Sequence, residues 1–155
     1  TSGWSMSTHQ RTSSELAAHV TLTVFRLNGQ FLAAGEQMTR PIGLTVARWQ
    51  VLGAILRQPR TVSDISRQMG LSRQAVQRLA NRLLDEGMIE RRENRAHKRA
   101  PLMAATKKGR EAVAAIGPHQ RSYAARIMAK LGRAELEALA AGLDSLSEVL
   151  DQVQP

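Results

Sequence analysis

The side chains best equipped for chemistry in this sequence are hydrogen-bonding forks clustered in residues 73–81. A guanidinium binds two acceptors at once, and a primary amide presents a donor beside an acceptor. If Val76, Leu79 and Leu83 form the buried face of a helix over 73–86, helical geometry turns the forked side chains outward. These outward side chains are Arg73, Gln74, Gln77, Arg78 and Asn81. Arginine pairs with guanine edges and Gln or Asn with adenine edges, so this face is equipped to read bases.

The alternative for this helix is that its arginines, including Arg82, are only a solvated face. The residues before it weaken that alternative, because a short helix over 63–69 and the turn Gly70-Leu71-Ser72 complete a helix-turn-helix pattern. Ser72 is a good N-cap, and the backbone N–H groups at this helix start can hold a phosphate.

A second cationic feature follows Gly87, where the residue pattern changes to two short strands over 88–92 and 101–105. The segment between them reads Glu93 to Arg99 and predicts a hairpin tip. We expect Arg95, Lys98 and Arg99 to enter a narrow, negative minor groove. The alternative is a mobile, solubilising turn. Arg60, Lys107 and Lys108 are expected mainly at phosphates.

The charge distribution supports a polyanionic partner. Residues 57–110 hold fourteen Lys or Arg against five Asp or Glu, an excess equal to the whole formal net charge of +9. The remaining residues balance eight basic against eight acidic side chains. One contiguous third of the chain is therefore a cationic surface.

The elements that must position these residues are mostly helices. Apolar periodicity predicts helices at about 14–38, 45–58, 63–69, 73–86, 107–131 and 133–153. We expect a break at Thr39 to Gly43, capping by Thr45 and Thr106, and a disturbance at Gly117-Pro118. The opening residues, with Met6 as the expected natural start, are predicted to be disordered or a tag remnant over 1–13.

The two ends of the chain carry apolar seams. The first helix has a continuous seam from Val20 to Met38 and a second apolar side, so it needs two packing partners. The last helix has a heptad-like seam at Leu136, Leu139, Leu143, Leu146, Leu150 and Val153. That helix is acidic, so we do not expect it to contact nucleic-acid phosphates.

Several classes of protein are disfavoured by what the sequence lacks. It has no cysteine, so no disulfide or thiolate metal site is expected, and the composition fits a reducing cytosol. His9, His19, His97 and His119 lack ligand spacing, and nucleophile-elbow, phosphate-loop, dinucleotide and zinc-protease motifs are missing. We expect no enzyme activity, no metal, no cofactor and no membrane span.

Four segments together resemble the MarR family of winged-helix repressors. They are residues 44–52, 62–76, 82–91 and 106–110, in the order that the family has them. The similarity covers about 14–150. It implies a mainly α fold with a winged helix-turn-helix core (α+β) and dimerisation helices at both termini.

The resemblance also implies an obligate homodimer in the cytoplasm, bound to the nucleoid. The interface residues expected on this basis are Leu16, Val20, Val24, Leu136, Leu139, Leu143, Leu146 and Leu150. Arg99 falls where the family has its key wing arginine. The family's Asp two residues earlier, which helps to brace that arginine, is replaced here by His97.

Many family members release DNA when a small aromatic or phenolic anion binds near the first, second and fifth helices. By resemblance, His19, Arg48 and Trp49 are candidate ligand residues. The alternatives are that Trp49 is a packed core aromatic and that Arg48 only pairs with an acid.

The resulting prediction is a sequence-specific, homodimeric DNA-binding regulator, in particular a ligand-released repressor on an inverted-repeat operator. Its parts would be a dimerisation helix at 14–43, a DNA-binding region at 44–110 and dimerisation helices at 111–155. A non-specific architectural DNA-binding protein is the first alternative. A protein-interaction module with an incidental basic face is the second.

Overall fold

The computed structural model describes residues 10–155, so most of the segment expected to be disordered or a tag remnant lies outside the described residues. The chain divides into two compact units, residues 1–46 and residues 47–155. The elements in order are α1 (Ser13–Thr39), α2 (Val46–Ile55), β1 (Arg60–Thr61), α3 (Val62–Met69), α4 (Arg73–Asp85), β2 (Ile89–Arg92), β3 (Leu102–Ala105), α5 (Lys107–Leu131) and α6 (Arg133–Gln152). This is the mainly helical winged-helix fold that the sequence predicted.

The first unit is dominated by the 27-residue helix α1. It begins with a capping box in which Glu15 N–H donates to Thr12 Oγ1 (3.2 Å) and Thr12 N–H donates to Glu15 Oε2 (2.7 Å). After Thr39 the predicted break is a single 3₁₀ turn, Arg40–Ile42, closed by Gly43 at φ 70°. Pro41 suits this position because it needs no backbone donor there.

In the second unit, α3 and α4 form the expected helix-turn-helix. Thr61 caps α3, Gly70 ends it in the left-handed region at φ 67°, and Ser72 Oγ accepts from Ala75 N–H at 3.1 Å to start α4. Val76, Ala80 and Leu83 are fully buried, whereas Leu79, predicted on the inner face, is only half-buried. The core of this unit therefore lies under α4.

The sheet has three antiparallel strands in the order β1-β3-β2. The predicted hairpin is present, with Ile89 opposite Ala105 and Arg92 opposite Leu102. Strand β1 was not predicted, because two residues carry no periodicity. It pairs Arg60 with Met103 and ties the start of α3 to the hairpin.

Glycine at position 109 is what lets α5 start close to this hairpin. A Cβ at Gly109 would lie 2.1 Å from the carbonyl oxygen of Met88, far inside van der Waals contact. Thr106 Oγ1 donates to the Gly87 carbonyl (2.7 Å) and also accepts from Gly109 N–H (3.2 Å). The threonine therefore caps α5 and anchors it beside β2 in one step.

The disturbance expected at Gly117-Pro118 does not interrupt the helix, since α5 runs through Pro118 to Leu131 as one element. Proline removes one donor to the residue four positions earlier. That residue, Ala114, is exposed, so water can satisfy its carbonyl. The one lost bond is thus compatible with a continuous helix.

Helix α6 follows after Gly132, whose φ of 85° makes the sharp turn between α5 and α6. Its leucine seam is largely open: Leu139, Leu143 and Leu150 are 46–60% exposed, while Leu136 and Leu146 are half-buried. None of the helices within residues 10–155 is long and apolar enough to cross a membrane.

Candidate nucleic-acid interface

Helix α4 presents its polar face to solvent because Val76, Ala80 and Leu83 on the opposite face are buried. Arg73, Gln74 and Arg78 are exposed, as the helical spacing predicted. Gln77 is half-buried, and its Nε2 donates to Asn81 Oδ1 one turn later at 2.9 Å. Two of the predicted base readers on this helix are therefore already joined in a hydrogen bond.

A cleft of about 330 Å³, here called the recognition cleft, joins α4 to the hairpin. Arg73, Gln74 and Gln77 line one side, Arg99 lines another, and residues 61–63 at the start of α3 complete the wall. A second cavity beside it, of about 370 Å³, is lined by Gln74, Gln77 and Arg78. The fold thus gathers side chains from α4 and from the hairpin loop, more than twenty residues apart in sequence, around one open groove.

The hairpin loop, residues 93–101, is here called the wing. Arg95, Lys98 and Arg99 are all exposed. The His97 side chain is also exposed, and its backbone carbonyl accepts from Ala100 N–H at 3.0 Å. The wing holds these three cations against one carboxylate, that of Glu93 at its first residue, so it is a positively charged projection.

The C-terminal end of α4 is held by a charge cluster that the sequence did not reveal. Arg48 of α2 places Nη1 2.6 Å from both carboxylate oxygens of Glu86, and Arg82 Nε lies 2.7 Å from Glu86 Oε1. Lys108 Nζ donates to the Glu86 carbonyl at 2.7 Å. This cluster fastens α4 to α2 and α5, so it sets the orientation of the helix that carries the candidate base readers.

The basic residues expected at phosphates differ in how freely they can move. Arg60 Nε donates to the Ala54 carbonyl at 2.9 Å, near the end of α2, and Lys108 is engaged with Glu86 as described. Lys107 is exposed and lies 3.9 Å from Glu111. Ser72 Oγ is used as the cap of α4. Arg60 and Lys108 therefore have structural roles that their sequence context did not show.

One carboxyl group near the recognition cleft has a perturbed titration. Asp64, in the first turn of α3, has its pKa lowered chiefly by a hydrogen bond from the Thr61 side chain, with the charge of Arg67 adding to it. Burial acts in the opposite direction. The net effect keeps Asp64 ionised and strengthens the cap of α3.

The remaining predicted site residues lie on helices α1, α2 and α6. Arg48 is buried in the ion pair with Glu86, which is the alternative that the sequence left open for it, and Trp49 is half-buried on α2. His19 is exposed on α1. Of the expected interface residues on α1, Leu16 and Val20 are exposed and Val24 is half-buried.

Within residues 10–155, no group of three or more His, Asp or Glu is placed to hold a metal ion. Two of the features that the sequence analysis missed are the Glu86 cluster and the hydrogen bonds of Asn94 in the wing. Glu86 lies 38 residues from Arg48, so no local pattern pairs them. Asn94 did carry a signal, since Asn in a loop commonly bonds nearby backbone.

The helix-turn-helix, the three-stranded sheet and the cationic wing define a winged-helix DNA-binding protein. A MarR family model matches residues 42–100. An uncharacterised protein of Mycobacterium tuberculosis (strain ATCC 25618 / H37Rv) is 38% identical over 103 residues, which span 66% of this chain and 72% of the relative.

Solved structures agree on the fold. A MarR/EmrR family transcriptional regulator from Acinetobacter sp. ADP1 has a TM-score of 0.79 at 21% identity, covering 89% of this chain and 99% of that one. CouR from Rhodococcus jostii RHA1, bound to p-coumaroyl-CoA, has a TM-score of 0.75 at 22% identity, covering 86% and 95%. The chain belongs to the MarR family of transcriptional regulators.

Proposed function

We propose that this protein is a homodimeric, sequence-specific DNA-binding repressor. The observation that carries the proposal is the recognition cleft, where Arg73, Gln74 and Gln77 of α4 meet Arg99 of the wing. Base-reading side chains and a groove-inserting arginine around one cavity suit a duplex that offers major-groove edges and backbone together.

In this proposal the contacts divide by chemistry. Arg73, Gln74, Gln77 and Arg78 read base edges in the major groove. Arg95, Lys98 and Arg99 of the wing enter the adjacent minor groove, where a narrow groove concentrates negative potential. The phosphate contacts come from Arg60, Lys107, Lys108 and the N-terminus of α4 at Ser72.

The dimer is supported by the apolar side chains that the chain leaves in solvent. On α1, Leu22 and Phe25 are each 68% exposed, and on α6 Leu150 is 60% exposed. Large apolar side chains left exposed on a helix are typical of an association site. We propose that Leu16, Val20, Val24 and the leucine seam of α6 contact a second copy.

A two-fold dimer presents two copies of α4. Two recognition helices reading successive major grooves require an inverted-repeat operator with half-sites about one helical turn apart, roughly 34–36 Å. Repression then follows from occupying a promoter.

We further propose that a small aromatic or phenolic anion releases the protein from DNA. This proposal is supported by CouR, which has the same fold and was crystallised with p-coumaroyl-CoA, a CoA thioester with a phenolic acyl group. Here His19, Arg48 and Trp49 are the residues to test. Titrating phenolic acids against the protein–DNA complex should release DNA and raise the melting temperature of the free protein; a flat response across a broad library would remove the effector from the proposal.

Selection of bound sequences from a random DNA pool tests the proposed function directly. The expected result is an inverted repeat whose half-site spacing reports the distance between the two α4 helices. Recovery of no motif, with affinity set by salt alone, would instead identify an architectural DNA-binding protein. Absence of duplex binding at physiological salt would favour a protein-interaction module.

A further inference from the structure

The wing has little to hold its shape apart from hydrogen bonds. It spans residues 93–101 between the last pair of the hairpin, Arg92 opposite Leu102, and most of its side chains are exposed. A nine-residue loop is long for a hairpin connection. Without internal constraints, its three cations would sample many positions, and ordering them on DNA would cost entropy.

One side chain closes this loop. Asn94 Nδ2 donates to the Ala100 carbonyl at 2.9 Å, and Asn94 Oδ1 accepts from Ala96 N–H at 3.2 Å. Asn94 is half-buried in a loop that is otherwise mostly exposed. Its amide therefore spans from the outgoing to the returning side of the wing.

The two hydrogen bonds of the Asn94 amide, here called the clamp, hold backbone atoms that lie next to the wing arginines. Arg95 lies between Asn94 and Ala96, and Arg99 directly precedes Ala100, so both arginines leave the backbone next to an atom that Asn94 holds. The position two residues before Arg99 supplies only a backbone carbonyl, that of His97. The bracing in this chain thus comes from residue 94.

The chemistry of the clamp requires an amide. A donor must face the Ala100 carbonyl while an acceptor faces Ala96 N–H, and asparagine provides both. Aspartate would keep the acceptor but would place a carboxylate oxygen against the Ala100 carbonyl, which repels it. Alanine would remove both bonds.

We propose that Asn94 is a positioning residue for DNA binding, which presets the wing so that Arg95 and Arg99 enter the minor groove without a further ordering cost. This inference rests on the proposed function, since it assigns Asn94 a role in operator affinity. Asn94 itself does not contact DNA in this proposal; its effect passes entirely through the two arginines.

A double-mutant cycle on the full-length protein tests the proposal with the selected operator. Asn94→Ala should weaken operator binding about tenfold, the effect expected when two neutral hydrogen bonds that order the bound wing are lost. The melting temperature should stay within about 2 °C of wild type, because the loop is solvent-exposed. Adding Asn94→Ala to Arg95→Ala/Arg99→Ala should cause no further loss.

Two more variants complete the design. Asn94→Asp should lose at least as much affinity as Asn94→Ala. The bond from Ala96 N–H can survive in this variant, but the second carboxylate oxygen repels the Ala100 carbonyl. His97→Ala is the matched control in the same loop. Its operator affinity should stay within about twofold of wild type, since the imidazole is exposed and the hydrogen bond from Ala100 N–H is accepted by the backbone carbonyl.

Specific results overturn the proposal. Wild-type affinity in Asn94→Ala would do so, and so would an equal further loss in the background lacking both arginines, since that would mean Asn94 contacts DNA by itself. If Asn94→Ala lowered the melting temperature strongly, Asn94→Asp would decide, and wild-type operator affinity of that variant would reject the clamp. The proposed function fails separately, when the wild-type protein shows no operator preference at all.

Discussion

Helices α4 and α6 carry the same kind of sequence signal but have opposite surroundings. Both are amphipathic with an apolar residue every three or four positions. In α4 this face is closed, with Val76, Ala80 and Leu83 fully buried. In α6 it is open, with Leu143 49% and Leu150 60% exposed.

The difference shows where each helix finds its partner. The apolar face of α4 is covered by elements of the same chain, so the helix that carries the proposed base-reading residues packs on a core within its own chain. The seam of α6 lacks such cover, and burying apolar surface is the main favourable term in association. We infer that a second chain supplies what the first does not.

The largest effect is expected when charged side chains replace leucines in the apolar seam of α6. Leu143→Asp with Leu146→Asp should convert the dimer to monomers, because two carboxylates cannot be buried against a second copy without a large desolvation cost. Operator affinity should fall by about a hundredfold or more, as two linked half-site contacts become independent. Analytical ultracentrifugation and a DNA titration measure the two effects.

The matched control places the same charges on the other side of α6. Ala141→Asp with Ser145→Asp lies opposite the seam, where both residues are exposed, and should leave mass and affinity near wild type. A double seam variant that still sediments as a dimer would refute the terminal-helix interface.

Two leucine truncations sharpen the comparison. Leu83→Ala removes a fully buried side chain of α4 and should lower the free energy of unfolding by about 2–5 kcal/mol. Leu139→Ala should cost more than about 1 kcal/mol if a second copy covers the seam, and less than about 0.5 kcal/mol if the seam stays in solvent. Thermal unfolding over a hundredfold range of protein concentration measures both, and the melting temperature of a dimer should rise with concentration.

The close packing within the second unit also predicts that position 109 does not tolerate a side chain. Gly109→Ala puts a methyl group against the Met88 backbone carbonyl, so α5 and the hairpin must shift, at a cost of about 1–3 kcal/mol. Gly53→Ala in α2, with nothing within 4 Å of the new Cβ, should stabilise instead by about 0.5–1 kcal/mol. Equal stability of the two variants in urea titrations would contradict the close packing of α5 beside β2.

The smallest effect concerns the cap of α3. Because the pKa of Asp64 is lowered in the folded state, its contribution is present above the unfolded value of 3.8 and is lost as pH falls through the folded value. Asp64→Asn should therefore reduce stability at pH 7 by less than about 1 kcal/mol, since the carboxylate is 41% exposed, and the difference should shrink as the pH falls below 3.8. A difference that grows on acidification would reverse the sign of this argument.

Much of the fold was predictable because its signals are local. Periodicity and capping residues placed the six main helices within a few residues of their observed ends, and the hairpin followed from the change of pattern after Gly87. The exposed face of α4 followed from helical geometry alone. Strand β1 was missed, since two residues have no period, and α5 runs through Pro118 because the carbonyl that loses its donor is on an exposed residue.

The candidate site was predictable in its residue types but less so in its contacts. Arg73, Gln74 and Arg78 were expected outward and are exposed. The engagement of Arg48 with Glu86 and of Arg60 with the Ala54 carbonyl depends on side chains meeting across the fold. Contacts between segments that are distant in sequence produce no local pattern from which they could be predicted.

By itself, the sequence determined which helix faces are apolar, where the positive charge is concentrated and which residue types could read a duplex. These properties follow from the order of side chains along a repeating backbone. Only the tertiary structure decided which apolar face is covered within the chain, which arginines are held by partners and which residue braces the wing. Burial and hydrogen bonding depend on distances between segments remote in sequence, and folding alone establishes those distances.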